Sequence, residues 1–329
     1  MTLLITGGTG FLGSYLTRYA LEAGEQRVVV LDRYANRARI AGVLDRVTLV
    51  EGDVADSETV RSIIATHGID RIAHFASILG SPARDQVLNF VKVQTLGVAN
   101  VLETALEANV RRVVFASSVA AYGEQTAETL HEDLLPNPQN PYGAAKVWAE
   151  SMAKHMTEAF GLDAVSLRFG SIYGSGRAWR GSYNSGILSS PGRNHFMARV
   201  EDAVRGAPIV MPRGDVATDF TYAADAAQAA WLALAAEQLP HRLYNVAAER
   251  HAIGEYTEAL RELMPEAEIT VSDTEVPTVP APLDGARIRQ ELGLELKYSL
   301  KAGMADYIAR CRDYEAARRG VLATCAGGG

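Results

Sequence analysis

Cysteine is scarce in this sequence, with only Cys311 and Cys325 among 329 residues. Two cysteines cannot form the disulfide framework of a small secreted domain, so apolar packing has to hold the core. The sequence also has no apolar run close to the roughly 18 residues that a membrane span requires. Its first residues lack the charged segment and apolar stretch of a secretory signal. A disulfide scaffold and a membrane protein are therefore not expected. A cytoplasmic location is expected instead.

Positive charge is also in short supply, because 32 lysines and arginines face 39 aspartates and glutamates, which gives a net charge of −7. A general nucleic-acid-binding protein carries a basic excess, so no nucleic-acid partner is expected. The histidines show no metal-ligand spacing, and no metal site is predicted. Apolar residues make up 48% of the chain and charged residues 22%, as in ordinary globular proteins with a sizeable core.

What the sequence does contain is an alternation of short apolar runs and longer amphipathic segments. The apolar runs, rich in β-branched residues, are typical of strands buried on both faces of a sheet. They lie at residues 3–5, 28–31, 47–50, 72–75, 113–115 and 165–167. The amphipathic segments predict helices at residues 14–23, 57–65, 85–108, 142–160 and 223–237. This order predicts βαβ units, and hence an α/β fold with a parallel sheet covered by helices on both faces.

Beyond about residue 169 the periodicity becomes weaker. Residues 170–191 are rich in Gly, Ser, Tyr and Arg and are predicted as a long loop of the kind that often carries function. Shorter predicted elements follow: helices at residues 195–205, 254–263, 284–292 and 300–319, and strands at 209–211, 243–246 and 269–271. The proline-rich residues 276–282 are predicted as a loop.

The turn after the first strand carries the clearest binding signal. Gly7, Gly10 and Gly13 form a G-x-x-G-x-x-G pattern between the first strand and the first helix. Glycines at these places permit a tight turn and let the backbone approach a pyrophosphate, while the helix N-terminus offers N–H groups and a positive dipole. Phe11 and Leu12, before the last glycine, are candidates for the same cofactor site. A plain glycine-rich turn is the alternative interpretation.

Acidic residues follow the next two strands. Asp32 ends the second strand about 20 residues after the turn, where a carboxylate can accept hydrogen bonds from the ribose hydroxyls of an adenosine. An acid there also repels a 2′-phosphate, so NAD is predicted rather than NADP, although Arg33 and Arg37 lie nearby. Asp53 and the backbone N–H of Val54 are candidates for reading the adenine edge. A helix N-cap is the competing role for Asp53.

Tyr142 and Lys146 are spaced four residues apart at the start of a predicted helix, so both side chains lie on one face. A tyrosine has an ordinary pKa of about 10, and a neighbouring ammonium group favours its phenolate. Tyr142 is therefore predicted as the acid/base for a substrate hydroxyl, with Lys146 also holding the nicotinamide ribose. Ser118 follows the fifth predicted strand, 24 residues before Tyr142, and so is expected at a carboxyl end of the sheet. Its hydroxyl is predicted to contact the reacting oxygen, and a cap is the alternative.

Several motifs occur here in the order found in one large family. They are TGGTGFLG at residues 6–13, Asp32, Asp53-Val54, HFA at 74–76, SSVAAYG at 117–123, YGAAK at 142–146 and LRFGSIYGSGR at 167–177. The sequence closely resembles the extended short-chain dehydrogenases/reductases, and within them the NAD-dependent sugar epimerase/dehydratase family. The resemblance covers nearly the whole chain, and residues 222–225 and 244–246 match later landmarks.

The resemblance implies a Rossmann doubly wound parallel sheet with a smaller C-terminal substrate-binding domain. Residues 1–168 would form the NAD-binding domain. Residues 169–324 would form mainly the substrate-binding domain, with some segments returning to the first, and residues 325–329 a flexible tail. The family also implies a homodimer through a four-helix bundle, to which residues 85–108 and 142–160 would contribute.

The resemblance also implies roles for individual residues. Tyr142 would be the catalytic acid/base, Lys146 its partner and Ser118 the hydroxyl donor to the substrate. Phe75 and Ala76 would approach the NAD cofactor. The expected substrate is a polar, carbohydrate-like small molecule.

Departures from the family pattern limit which activity the resemblance implies. Dehydratases of the family carry an Asp-Glu pair where this sequence has Val119 and Ala120, so the groups for eliminating water are missing. Nucleotide-sugar members hold the diphosphate with an arginine where Thr218 stands here, and a second arginine is missing from residues 276–282. Such charge-assisted contacts contribute about 1.5–3 kcal/mol each. An ordinary nucleotide sugar would therefore be held differently.

Replacement cations are present in the long predicted loop. Arg177, Arg180 and Arg193 are candidates for binding a carboxylate, sulfonate or phosphate of the substrate, and solvated loop arginines are the alternative. Ser171 stands where the family has an asparagine and is a further substrate-binding candidate. Gln94 likewise replaces the asparagine of an N-x-x-G motif.

Three functions are compatible with these residues. The first is an NAD-dependent oxidoreductase that transfers hydride at a secondary alcohol of a sugar-like or hydroxy-acid substrate, and the missing arginines place it ahead. The alternative is an NAD-dependent nucleotide-sugar epimerase, which oxidises and re-reduces its substrate while NAD stays bound. The third is a non-catalytic NAD-binding protein, against which the intact Ser-Tyr-Lys set argues. The fold alone does not decide among them.

Overall fold

The structure, a computed structural model, describes residues 1–176, 195–214, 217–275 and 281–326. Its strands are β1 (Thr2–Thr6), β2 (Arg27–Asp32), β3 (Val47–Glu51), β4 (Arg71–His74), β5 (Arg112–Ser118), β6 (Ala164–Phe169), β7 (Ser171–Tyr173), β8 (Ile209–Arg213), β9 (Ala217–Thr218), β10 (Phe220–Tyr222), β11 (Leu243–Val246), β12 (His251–Ala252) and β13 (Ile269–Glu275). Its α-helices are α1 (Phe11–Glu22), α2 (Ser57–His67), α3 (Val87–Val91), α4 (Gly97–Glu107), α5 (Pro141–Phe160), α6 (His195–Val204), α7 (Ala223–Ala235), α8 (Ile253–Leu263), α9 (Ala286–Leu292) and α10 (Leu300–Ala326). Two 3₁₀ segments cover Arg37–Arg46 and Val119–Ala121, and a π-helical segment, Lys92–Leu96, joins α3 to α4.

Seven strands form one parallel sheet in the order β11-β6-β5-β4-β1-β2-β3. The strand order reverses its direction between β1 and β4, so a crevice opens beyond the carboxyl ends of these two strands. The predicted doubly wound Rossmann fold is confirmed. Strand β11 comes from the C-terminal part of the chain and extends the sheet beside β6. The domain division after residue 168 stays a prediction.

Successive strand residues enter two apolar layers, one on each face of the sheet. In β1, for example, Leu3 and Ile5 pack on one face and Leu4 on the other, and all three are buried. Helices α2, α4 and α5 cover the face of Leu4. Helices α1 and α7 cover the opposite face, together with C-terminal elements. Six alanines of α7 have no exposed surface, and these small side chains let α7 pack closely against α1.

The C-terminal half contains short strand pairs, and only the strands β8 and β13 among them are predicted from the sequence. Strand β10 pairs with β7 and β13 with β8, both in parallel, and β12 pairs with β9 in antiparallel fashion. Strands β7, β9, β10 and β12 have only two or three residues each, too few for an alternating pattern to be visible. The loop prediction for residues 170–191 was wrong at Ser171–Tyr173, which form β7. Residues 177–194 lie outside the described part of the chain.

The predicted helices differ from the observed ones at several ends, α1 for example beginning at Phe11 rather than at 14, and in one interior. Predicted helix 85–108 is interrupted by the π segment, because an i→i+5 turn inserts an extra residue without changing the apolar pattern much. Helix α9 begins at Ala286 rather than at 284, since the carboxylate of Asp284 accepts a hydrogen bond from the backbone N–H of Ala286 at 2.8 Å. Helix α10 extends to Ala326, so residues 325 and 326 belong to a helix and not to a tail. Within the described ranges, no helix is long and apolar enough to cross a membrane.

Candidate active site

The glycine-rich turn lies between β1 and α1, at the carboxyl end of the sheet. Gly7 has φ +67°, and a Cβ at this position would lie 2.7 Å from the backbone nitrogen of Ala76. A Cβ on Gly13 would lie 2.1 Å from the carbonyl oxygen of Gly7. These positions therefore require glycine. Helix α1 begins after Gly10 without a side-chain cap, so the N-terminus of the helix is open to an anionic ligand.

Residues after β4 form the wall opposite this turn. The backbone N–H of Phe75 donates to the carbonyl of Thr6 at 3.0 Å, and that of Ala76 donates to the Thr6 hydroxyl at 3.3 Å. These bonds hold the 75–76 backbone against Gly7, which explains the close approach measured at Ala76. The structure thus places Phe75 and Ala76 beside the predicted cofactor turn, with Phe11 and Leu12 at the start of α1.

Asp32 is the last residue of β2, and its carboxylate has a fixed orientation. Oδ2 accepts hydrogen bonds from the Thr9 backbone at 3.1 Å and from the Thr9 hydroxyl at 2.6 Å. Oδ1 accepts one from the backbone N–H of Tyr34 at 3.3 Å. Thr9 belongs to the glycine-rich turn, so the predicted pyrophosphate and ribose sites are joined by direct hydrogen bonds. Sequence reasoning did not single out Thr9, although its place inside the glycine pattern was visible.

Asp53 is not the N-cap of a helix, which was the alternative role for this residue. Helix α2 begins at Ser57, and its N-cap is Asp56, whose carboxylate accepts from the backbone N–H of Glu58 at 3.1 Å. The Oδ1 atom of Asp53 instead accepts from the backbone N–H of Ala55 at 3.0 Å. Asp53 and Val54 therefore lie in the turn after β3, at the same edge of the sheet as Asp32.

Both arginines near Asp32 are paired with carboxylates. The Nη1 atom of Arg33 lies 3.0 Å from Oδ2 of Asp53. The Nη2 atom of Arg37 lies 3.5 Å from Oε1 of Glu51. Neither cation is therefore an unopposed charge beside the ribose site. This arrangement supports the preference for NAD that Asp32 alone predicted.

Tyr142 and Lys146 lie on the first turns of α5. The Asn140 side chain caps this helix by accepting from the backbone N–H of Gly143 at 2.9 Å, and Pro141 occupies the first turn. The Nζ atom of Lys146 is 5.4 Å from the centroid of the Tyr142 ring, as the spacing predicted. A Cβ on Gly143 would lie 2.3 Å from the carbonyl oxygen of Ala120. Gly143 therefore lets the start of α5 approach the turn that follows Ser118.

Lys146 is buried, with 3% of its surface exposed. Its Nζ donates to the carbonyl of Ala116 at 2.8 Å and to the hydroxyl of Ser77 at 3.3 Å. Burial lowers the pKa of Lys146 to about 7, and the carboxylate of Glu150 acts in the opposite direction. Lys146 therefore titrates near neutral pH. Sequence reasoning missed Ser77, which directly follows the Phe75-Ala76 pair.

Ser118 ends β5, and both of its predicted roles are compatible with the structure. Its Oγ accepts from the backbone N–H of Ala120 at 3.2 Å and so caps the 3₁₀ segment Val119–Ala121. The cap uses a lone pair of the hydroxyl oxygen, which leaves the O–H able to donate to a ligand. Ser118 therefore lies at the carboxyl end of β5, next to the start of α5, with its oxygen held in position.

A buried polar network lies behind the catalytic candidates, and sequence reasoning missed it. Arg168 of β6, 1% exposed, donates from Nε and Nη2 to both carboxylate oxygens of Glu150, at 2.9 and 2.7 Å. The Ser117 hydroxyl donates to Oε1 of Glu150. The guanidinium carbon of Arg168 lies 4.4 Å from the centroid of the Tyr122 ring. The visible signals were an arginine directly after an apolar run and a glutamate one turn beyond Lys146.

His74, at the end of β4, has the structural environment that a lone buried histidine suggests. Its Nδ1 lies 2.8 Å from the hydroxyl of Thr6, and its ring stacks on that of Phe115 at 5.8 Å between centroids. Burial lowers its pKa to about 3, with the nearby charge of Lys146 as a smaller cause. The imidazole is therefore neutral at physiological pH. It supports the wall of the site and does not supply a proton there.

The substrate-binding candidates are only partly described. Ser171 begins β7 and pairs in register with Phe220 of β10. Arg177, Arg180 and Arg193 lie outside the described residues. Thr218, where the family has an arginine, is buried, and the next residue, Asp219, accepts from the backbone N–H of Leu283 at 3.0 Å. No group of three potential metal ligands occurs within the described residues.

Comparison with known proteins gives a family match over most of the chain. The sequence profile of the NAD-dependent epimerase/dehydratase family matches residues 3–247. A UDP-glucose 4-epimerase of Halalkalibacterium halodurans is 37% identical over 171 residues, which are 51% of this chain and 50% of that protein. One from Azospirillum brasilense is 30% identical over 237 residues, 70% of this chain and 68% of that protein. The match to the first relative thus spans about half of its length.

Solved structures with the same fold include enzymes of more than one activity. A UDP-glucose 4-epimerase from Thermus thermophilus in complex with NAD has a TM-score of 0.74 and 26% identity, covering 95% of this chain and 99% of that one. A partial-consensus L-threonine 3-dehydrogenase has a TM-score of 0.76 at 22% identity, covering 95% and 99%. The second likeness shows the fold alone. The fold is therefore shared by epimerases and dehydrogenases.

Proposed function

Because the chain belongs to the NAD-dependent epimerase/dehydratase family, we propose that it is an NAD-dependent nucleotide-sugar epimerase. The geometry that supports redox chemistry at a substrate hydroxyl is the approach of Lys146 to Tyr142, with the start of their helix packed against the turn that follows Ser118. The relatives named above are UDP-glucose 4-epimerases. These comparisons favour the epimerase over the dehydrogenase that the sequence placed first.

The residues around the turn fit NAD. The backbone at Gly7 and Gly13 leaves no room for a side chain, as a close approach to pyrophosphate requires. The carboxylate of Asp32, held by Thr9, would accept hydrogen bonds from the ribose hydroxyls of the adenosine. Lys146, whose Nζ donates to the Ala116 carbonyl, would also bind the second ribose. When bound, NAD supplies the hydride acceptor and donor for the redox chemistry.

Tyr142 is the proposed acid/base. Its phenolate oxygen accepts the proton of the substrate hydroxyl when the carbinol carbon is oxidised, and the phenol returns the proton when the ketone is reduced on its other face. Lys146 stabilises the phenolate by its positive charge. Ser118 donates a hydrogen bond to the reacting oxygen, since the Ala120 N–H uses only a lone pair of its oxygen and leaves the O–H available. The proton count is unchanged after one complete turnover.

A dehydrogenase is the second candidate, and a specific observation favours it. Thr218 is buried in β9 where nucleotide-sugar members carry a diphosphate-binding arginine, so that contact is missing here. A substrate without a diphosphate, such as a free sugar or a sugar acid, does not need it. In that case NAD would exchange at each turnover, with the same roles for Tyr142, Lys146 and Ser118.

The protein is also proposed to form a homodimer through α3 and the π segment. Val87, Leu88, Val91 and Leu96 are exposed there, and 77% of Leu88 is accessible. Exposed apolar side chains grouped on one helical segment are typical of an interface with a second subunit. This location agrees with the helix pair that the family resemblance assigned to the dimer.

Tyr142→Phe is the variant that tests the proposed chemistry. Loss of general acid–base catalysis costs about 10²–10⁴-fold in rate, so we expect kcat for the interconversion of UDP-glucose and UDP-galactose, or of the sugar identified by screening, to fall by at least a hundredfold. NAD binding should persist, because the ribose and pyrophosphate contacts remain. Tyr19→Phe, which removes a hydroxyl from α1, is the matched control. Unchanged turnover of the Tyr142 variant would refute its assignment as acid/base.

A further inference from the structure

The ends of β2 and β3 bring opposite charges together beside the predicted adenosine ribose. Asp32 pairs in register with Glu51, and Asp53 follows two residues later. Arg33 is next to Asp32 in the chain, and its guanidinium contacts the turn that follows β3. Its Nη1 lies 3.0 Å from Oδ2 of Asp53 and 2.9 Å from Oδ1 of Asn89.

Arg33 lies where an arginine could bind a phosphate, but its guanidinium is already paired with Asp53. An arginine near the ribose carboxylate is the group that accommodates the 2′-phosphate of NADP in dinucleotide-binding folds. Here Asp53 neutralises that guanidinium, while Tyr34 covers it with its ring centroid 5.3 Å away. The Arg33 side chain is 43% exposed and that of Asp53 29%, so the ion pair is accessible to solvent and its partners can exchange.

We propose that Asp53 determines cofactor specificity by holding Arg33 in an ion pair, which makes the site reject a 2′-phosphate. With Asp32, Glu51 and Asp53 present, three carboxylates face two guanidiniums at this edge. A doubly charged phosphate would have to displace Asp53 from Arg33 and leave that carboxylate beside its own charge. This inference rests on the proposed NAD site, because it assumes that the ribose lies at Asp32.

The Asp53→Asn variant separates the charge of this residue from its local structural role. The amide oxygen of an asparagine can still accept from the Ala55 N–H, so the turn after β3 is retained. The negative charge of Asp53 opposite Arg33 is removed, and the guanidinium can turn toward a 2′-phosphate. Asp53→Ser serves the same purpose, with a hydroxyl as acceptor, if the amide variant fails to fold. Glu51→Gln is the matched control, because it removes an equal charge from the neighbouring, more exposed pair with Arg37.

The experiment is a competition between the two dinucleotides, read by native mass spectrometry. Each protein is incubated with equimolar NAD and NADP until the ratio of the two complexes is constant. We expect Asp53→Asn to raise the NADP:NAD ratio at least tenfold over the wild type. Arg33→Leu in the same chain should abolish this gain, and Glu51→Gln should change the ratio less than threefold.

Three results would overturn the inference. An unchanged ratio in both Asp53 variants, with NAD still bound, would mean that Asp53 does not restrain Arg33 and would leave the proposed function intact. The same gain in the Asp53→Asn/Arg33→Leu double variant would mean that Arg33 is not the phosphate ligand. If neither dinucleotide bound to the wild type, the cofactor site itself would be wrong, and the proposed function would fall together with this inference.

Discussion

Lys146 is a buried cation whose charge depends on a single carboxylate. Burial lowers its pKa to about 7, whereas Glu150, one turn further along α5, favours the ammonium form. Apart from Tyr142, whose phenolate Lys146 is proposed to stabilise, the other groups around Nζ carry no charge: the Ala116 carbonyl, the Ser77 hydroxyl, the Phe115 ring and the neutral imidazole of His74. Glu150 in turn is fixed by Arg168 and Ser117. This network therefore controls whether Lys146 can stabilise the Tyr142 phenolate.

Glu150→Gln should shift the pH dependence of catalysis. A lysine pKa falls when a nearby negative charge is removed, so Lys146 would lose its proton at a lower pH than in the wild type. We expect the alkaline limb of kcat/KM, which reports the free enzyme, to move to lower pH. The control is Glu158→Gln on the same helix, where an exposed pair with Lys154 is broken instead. Superimposable pH profiles for Glu150→Gln and wild type would contradict this role.

The strands of the first half were predictable from the sequence, whereas the shape of the helix after β4 was not. Short apolar runs bounded by glycines and acids identify buried parallel strands, and each of them is present in the sheet. The π segment Lys92–Leu96 could not be predicted, because it leaves the amphipathic pattern almost unchanged. It lies within the exposed apolar segment, and it also carries Gln94, whose side chain accepts from the Ser77 hydroxyl at 2.9 Å. Gln94 of the π segment therefore contacts Ser77, whose hydroxyl in turn accepts a hydrogen bond from Lys146.

Leu88→Asp should dissociate the proposed dimer. A carboxylate in a desolvated apolar interface has no partner there, so its burial is strongly unfavourable. We expect the variant to elute as a monomer with a molar mass half that of the wild type by size exclusion with light scattering. Leu135→Asp is the matched control, because Leu135 is 83% exposed and lies outside the helices. A dimer that persisted in Leu88→Asp would show that α3 is not the interface.

The whole site is assembled from segments that are far apart in the chain. The sequence identified Gly7, Asp32, Ser118, Tyr142 and Lys146, because each belongs to a recognisable motif at a strand end or helix start. It could not identify contacts that exist only after folding. The approach of Gly143 to the Ala120 carbonyl, the Thr9–Asp32 bonds and the Glu150–Arg168 pair each join residues from different elements. Sequence spacing does not encode such distances.

In the proposed epimerase, NAD stays bound while the substrate is oxidised and then reduced. To check this, the nicotinamide cofactor that is released when the purified protein is denatured can be identified and quantified. The epimerase account predicts close to one equivalent of NAD(H) per chain, because a closed redox cycle does not require exchange. A site that is purified empty and binds added NAD reversibly would contradict the account and favour a dehydrogenase.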